Sequence, residues 1–250
     1  MTFQILISTM NGNFFTGKKT LKENMLVINQ YANEPYVGDA VYNYKERGLS
    51  KSRNHALEKS HADICLISDD DLEYIKDLKD IVLTAFKENP SADIITFQVI
   101  SPDGEPFSNY KKDTFWHNKK SIMRVCSVEI ALRSEVIKGH HLSFDENFGL
   151  GAEFPTGEEV IFLSDALGKS LKVLYVPIPI VIHPLESSGS NYSNMALIQA
   201  KGAMFYRLFG SLGYVASALY AYKKNQFSSL NMKDFFLMML KGIKNYRSKV

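Results

Sequence analysis

Three adjacent carboxylates, Asp69, Asp70 and Asp71, stand directly after the apolar run Ile64-Cys65-Leu66-Ile67 and Ser68. Neighbouring anions repel, so such a cluster needs either full solvation in a turn or a divalent cation. Hard oxygen ligands of this kind suit Mg2+ or Mn2+. They could instead cap a helix beginning near Leu72, where the helix dipole favours negative charge. One or two acids suffice for a cap, and three at the end of the most hydrophobic strand favour the metal. The spacing does not make a calcium loop, because the sixth position lacks Gly and the twelfth lacks Glu.

A second cluster, Gly48-Leu49-Ser50-Lys51-Ser52-Arg53-Asn54, opens a helix just upstream. Ser50 is a natural N-cap, and Gly48 permits the tight turn before it. A helix N-terminus bearing Arg53 in its first turn offers unpaired N–H groups and a bidentate guanidinium, the equipment for holding phosphate. The plainer use of Arg53 is an exposed arginine on a surface helix. Further on, Thr156-Gly157-Glu158-Glu159 precedes a helix whose apolar Val160, Leu163, Ala166 and Leu167 share one face, with Gly168 as its stop. Glu159 is a candidate general base, but Thr156 and Glu159 also have capping-box spacing. Glu158 projects ~100° away around the helix, so at most one of the two faces a cleft. His183, in Ile182-His183-Pro184, is either a further ligand or an ordinary histidine at a strand end.

These residues are positioned by elements that read as α/β. Apolar, β-branched runs at Phe3 to Thr9, Met25 to Asn29, Ala62 to Ser68, Asp93 to Ile100 and Val173 to Ile182 predict strands, with helices at Lys51 to Ser60 and Leu78 to Asn89. Continuous apolar strands alternating with helices imply a mostly parallel sheet covered on both faces. Ligands then belong at the strands' carboxyl ends.

The chain has 250 residues, 45% hydrophobic and 22% charged, with 29 Lys plus Arg against 27 Asp plus Glu. Disorder and small disulfide scaffolds are excluded, and the near-neutral balance gives no case for a nucleic-acid binder. Cys65 and Cys126 form no Cys-x-x-Cys pair, and Phe3 to Ser8 reads as a strand rather than a leader, so the expected location is the cytoplasm. A boundary is expected near Pro184, dividing residues 1–185 from a helical extension at residues 186–250. Leu208 to Tyr222 carries no charge but is too short to span a bilayer. Phe235 to Ile243, followed by Lys244, Arg247 and Lys249, has the make-up of a helix lying on an anionic membrane surface. Helices packed on the main domain are the alternative.

Taken together, the segments resemble the family 2 glycosyltransferases of the GT-A fold. The resemblance rests on Ile5 to Thr9 with Asn11, the Gly48 to Asn54 segment with Ala56, Ala62 to Asp71, Phe144 to Gly151, and Gly157 to Leu163, in the family's order. It implies a Rossmann-like sheet, an inverting transfer from a nucleotide-diphosphate sugar, most simply a UDP-sugar, and a Mn2+ or Mg2+ ion. Carried over by position, Thr9, Asn11, Gln30, Arg53, Asn54, Asp69 and Asp70 bind donor, and Asp71, Asp70 and His183 hold metal. Two of the three aspartates contact ribose and metal, with the register open, and Arg53 touches the diphosphate or positions the acids. Glu159, then Glu158, is the base. The chain departs from the family at Asn29-Gln30, where an Asp is common, and at Thr9-Met10-Asn11, where Pro-x-Tyr-Asn is common. The implied acceptor is a glycan or a polyprenyl-linked sugar of bacterial surface polysaccharide, with membrane contact through the extension. Phe115, Trp116, Phe148 and Phe154 are candidates for stacking on sugar rings, although aromatics more often serve the core. Asp69-x-Asp71 after a strand also suggests an aspartyl phosphotransferase of the haloacid dehalogenase type, although Glu73 stands where that motif has Thr or Val. A non-catalytic sugar-nucleotide binder is the third reading.

Overall fold

Alternate residues of the strand Phe3–Met10 (β1) enter two different cores. Ile5 and Ile7 pack with Val82 and Phe86, while Leu6 packs with Ala56, Leu57 and Phe162. That two-residue period with both faces buried is what a helix-covered sheet requires. The computed structural model describes residues 1–12, 24–31, 35–183 and 192–249, and elements are numbered within those residues. After β1 come β2 (Met25–Gln30), β3 (Val41–Tyr44), α1 (Leu49–Lys59), β4 (Ile64–Asp69), β5 (Glu73–Tyr74), α2 (Leu78–Glu88), β6 (Ile94–Ile100) and β7 (Phe115–Trp116). The chain continues through β8 (Ile130–Arg133), α3 (Ser134–Gly139), α4 (Glu158–Gly168), β9 (Val173–Ile182), α5 (Met195–Phe209), α6 (Gly213–Lys224) and α7 (Met232–Arg247).

The sheet order is β3-β2-β1-β4-β8-β6-β9-β5, with β7 paired to β9. Strands β1 to β4, β6 and β9 run one way. Short β8 runs against them, inserted between β4 and β6. The expected mostly parallel α/β sheet with helices on both faces is therefore present, and the five expected strands fall where the apolar runs lie. Helix α2 covers one face through Leu78, Val82, Ala85 and Phe86. On the other face lie Ala56 and Leu57 of α1 with Phe162 and Leu163 of α4.

Three local expectations are corrected. Between the acidic triplet and α2 comes β5, and the α2 cap is Asp77 without a side-chain cap bond, so the triplet caps no helix. Gly48, not Ser50, precedes α1, and its φ of 132° is one that a side chain rarely tolerates. Gly157 in the left-handed region precedes α4 with no side-chain cap bond, so Thr156 and Glu159 do not form a capping box.

The expected domain boundary falls within residues 184–191, outside the described residues. Beyond it, α5, α6 and α7 do not stand apart. Ile198, Ala203, Met204, Phe205, Phe235 and Met239 share one core with Phe148, Phe154, Val160 and Ile161. Helix α4 is thus apolar on two sides, facing the sheet with Phe162 and the C-terminal helices with Ile161. No helix among the described residues is long and apolar enough to cross a membrane. Phe148 and Phe154 are buried against each other and Tyr246, and they are unavailable to a sugar ring. Phe115 and Trp116 pair with the start of β9, at the opposite end of the sheet from its carboxyl edge.

Helices α5 and α7 cross at two glycines. A Cβ on Gly242 would overlap the Gln199 backbone, and one on Gly202 would overlap Met239. Gly242→Val should therefore lower unfolding free energy by ~1–3 kcal/mol, the usual cost of overpacking. Gly139→Ala, where nothing lies within 4 Å of the added carbon, should change it by less than ~0.5 kcal/mol. Urea denaturation of the two variants checks the difference.

Candidate active site

Helix α1 sends one polar side chain after another into the elements around it. Ser50 Oγ donates to the Phe148 carbonyl at 2.6 Å, and Ser52 Oγ donates to Ser8 Oγ of β1 at 2.8 Å. Asn54 Nδ2 donates to the Phe144 carbonyl at 3.0 Å, and its Oδ1 accepts from Phe144 N–H at 2.8 Å. Arg53, 1% exposed, reaches furthest. Its Nη1 donates to Glu158 Oε1 at 2.9 Å, and its Nη2 donates to Asp69 Oδ1 at 3.0 Å and to Ser127 Oγ at 2.8 Å. Burial opposes the guanidinium's charge, but Asp69 and then Glu158 outweigh it, and its pKa is raised. The segment expected to cradle phosphate instead ties β1, β4, α4 and the 144–148 loop together. Even the first N–H of α1, at Leu49, is taken by the Leu150 carbonyl at 2.9 Å.

The three aspartates part company at the end of β4. Asp69 turns back to Arg53. Asp70 Oδ2 accepts from Thr9 Oγ1 at 2.5 Å, because Ser8 pairs with Asp69 in the β1–β4 ladder and brings Thr9 alongside Asp70. Burial raises the Asp70 pKa, and the charges of Asp71 and Asp69 add to that while the Thr9 bond opposes it. Asp71 is exposed, with its Oδ2 3.6 Å from His183 Nε2. That approach is the work of the short β5–β9 ladder, in which Glu73 pairs with Ile182. A carboxylate and an imidazole are donors that Mn2+ accepts, and two protein ligands leave room for diphosphate oxygens and water. Asp71 and His183 therefore fit a divalent ion, while among the described residues no group of three such side chains converges on one point.

At the start of α4 the two glutamates diverge as a helix requires. Glu158 is 6% exposed and belongs to Arg53. Glu159 is raised in pKa, first by burial and then by the charge of Glu158, while Lys201 of α5 and Arg53 pull the other way. Sequence reasoning missed Lys201, which comes from the C-terminal helices. It also missed Glu129, 2% exposed at the foot of β8, which accepts from Tyr110 Oη at 2.6 Å and whose pKa burial pushes up to about 8. A lone acid within an apolar stretch carries no spacing signal that would single it out.

Gln30 and Asn11, expected at the donor, lie at the ends of β2 and β1. The Gln30 amide accepts from Gly48 N–H at 3.1 Å and donates to the Gly48 carbonyl at 3.0 Å. Asn11 is exposed, with a φ of 51° and its N–H on the Gln30 carbonyl at 2.7 Å. Neighbouring Asn29 accepts from Gly12 N–H at 2.8 Å.

Residues 27–149, which include the acidic triplet and α1 but not Ser8, Glu158 or Glu159, match the profile described as Glycosyl transferase family 2. The match supports a family 2 glycosyltransferase domain across that stretch. No curated protein sequence matches the chain. Among solved structures, S. aureus TarS superposes with a TM-score of 0.58 at 13% identity, covering 92% of this chain and 44% of that one. The chain thus spans less than half of that TarS chain. Residues 1–349 of TarS in complex with UDP-GlcNAc give a TM-score of 0.58 at 14% identity, covering 91% of this chain and 74% of that one. The haloacid dehalogenase reading of Asp69-x-Asp71 gives way to this family assignment.

Arg53→Met leaves Glu158 buried without its cation. Breaking a buried pair in this way costs ~3–5 kcal/mol. Arg53→Met/Glu158→Gln should recover ~1 kcal/mol or more of that loss, since the orphaned charge is gone. Denaturant midpoints of the two variants and the parent measure the coupling.

Proposed function

We propose that the domain transfers a sugar, with inversion, from a UDP-sugar to a hydroxyl of a glycan or polyprenyl-linked acceptor in bacterial surface polysaccharide synthesis. The single observation behind this reading is Arg53 held at once by Asp69 and Glu158, which sets the start of α4, and so Glu159, against the end of β4. The donor class is supported by the fold shared with TarS, which has been solved with UDP and with UDP-GlcNAc.

Thr9 orients Asp70 toward the donor end of the sheet, and Asp71 with His183 would hold the divalent ion. Such an ion, when bound, offsets the charge of the diphosphate. Glu159 takes the proton of the acceptor hydroxyl as that oxygen attacks the anomeric carbon. The bond from that carbon to the diphosphate oxygen breaks on the opposite face, and its electron pair leaves with the nucleoside diphosphate. A base works best with a pKa near the operating pH, and the raised pKa of Glu159 moves it in that direction. Glu158, bonded to Arg53, positions α4.

A thermal-shift screen of UDP, UDP-GlcNAc and other nucleotide sugars tests donor and metal together. Stabilisation of ~2–3 kcal/mol at saturating UDP-sugar is expected only with Mn2+ or Mg2+ present, and Asp71→Asn should abolish it. Equal stabilisation without a cation would remove the metal from the reading.

Glu159→Gln should lower transfer by ~10²–10⁴-fold while leaving the donor thermal shift intact. Because Glu159 acts only when deprotonated, the rate should rise with pH along an acid limb lying above the ordinary carboxylate value of ~4.3. A limb at or below that value, or full activity in Glu159→Gln, rejects this residue as the base.

A further inference from the structure

Helix α6 is amphipathic the wrong way round for a helix facing water. Its small residues Gly213, Ser217 and Ala221, four apart, are the buried ones. A side chain at Gly213 would strike the backbone of Phe205 and Tyr206, so α6 lies close against α5. The large apolar residues point outward. Leu212, Val215, Leu219 and Tyr222 follow one another at spacings of three, four and three, a single helical stripe, and are 68%, 57%, 60% and 73% exposed. Phe227, 60% exposed, extends the surface past the helix end.

Cations flank this stripe. Arg247 of α7 donates to Tyr214 Oη at 3.1 Å near one end. At the other end Lys223 is exposed, and Lys224 Nζ stands 5.3 Å from the Phe227 ring. Residues 192–249 hold nine lysines and arginines against Asp234 alone, a net of +8 in a chain whose total is +2, so the rest of the chain carries −6. The near-neutral total therefore hides a basic C-terminal part, in which Arg207 pairs with Asp145 and Asp165 and Lys249 with Glu153 while Lys223 stays exposed beside the stripe.

We infer that this face of α6 is the contact with an anionic bilayer surface, its apolar stripe entering the headgroup boundary and its lysines meeting lipid phosphates. Helix α7, which the sequence pattern favoured for that role, turns Phe235, Met239, Ile243 and Tyr246 into the protein core instead. A second copy of the chain would meet the same basic rim with like charge, whereas an anionic membrane complements it. The inference rests on the reading of a lipid-linked acceptor for its purpose, but it is measured without donor or acceptor.

The test is flotation of the whole chain with vesicles of equimolar phosphatidylglycerol and phosphatidylcholine, and with phosphatidylcholine alone. Partitioning onto the anionic vesicles is expected, weakening with salt. Val215→Glu/Leu219→Glu should reduce it by ~10-fold or more, with thermal midpoint and donor hydrolysis unchanged. Lys223→Ser/Lys224→Ser should weaken binding to the anionic vesicles only. Equal flotation of the Val215→Glu/Leu219→Glu variant, or no flotation of the parent, would overturn the inference. A concentration-dependent dimer lost in that variant, without lipid binding, would overturn it in favour of self-association. If the parent floats and the donor screen is blank, the membrane contact stands and the transferase reading falls.

Discussion

A guanidinium sealed between Asp69 and Glu158 is the constraint on which the site depends. Glu158 is buried beside it and Asp69 is about a third exposed, so the 1% exposed Arg53 has a carboxylate on either side. Such a pair is weak evidence for stability, because desolvation consumes most of the attraction. Its value here is geometric. Three segments far apart in the chain, α1, the end of β4 and the start of α4, are held to a common point by hydrogen bonds of 2.9 and 3.0 Å. Ser127 at 2.8 Å adds a fourth.

The C-terminal helices belong to that arrangement rather than hanging from it. Gly157, which begins α4 in a left-handed conformation, leaves no space for a Cβ beside Met204 of α5. One turn of α5 back from Met204 is Lys201, whose charge lowers the pKa of Glu159 against the effect of burial. Below them Tyr246 of α7 packs on Phe148 and Phe154. Movement of α5 would therefore shift both the cap of α4 and the electrostatics of its second residue.

Much of this was readable from the chain because strands buried on both faces leave a plain signature. Ile64 to Ile67 could hardly be anything else, and the acids that follow it land at the carboxyl edge by topology alone. Where the reading erred, the signal was too short or not local. Two-residue β5 and four-residue β8 carry no periodicity, yet β5 is what delivers Asp71 to His183. The Ser50 and Thr156 capping patterns were sound local chemistry overridden by tertiary contacts. Ser50 found the Phe148 carbonyl 98 residues away, and Gly157 took the cap position of α4. Arg53 stood out by position, but its burial could not be seen, since nothing in a sequence says which carboxylate a long side chain will meet. The shared core of α4 and the C-terminal helices was likewise invisible, being a matter of which faces meet.

The step of one residue between Glu158 and Glu159 shows how the helix divides two chemically identical groups. Turning through ~100°, the first carboxylate is delivered to a cation and the second is left beside a like charge in a poorly solvated place. The first is therefore spent on an ion pair, whereas the second is destabilised as an anion and gains proton affinity. The Arg53 contact fixes the helix at its first residue. Glu159 thus projects from a helix already anchored at its first residue.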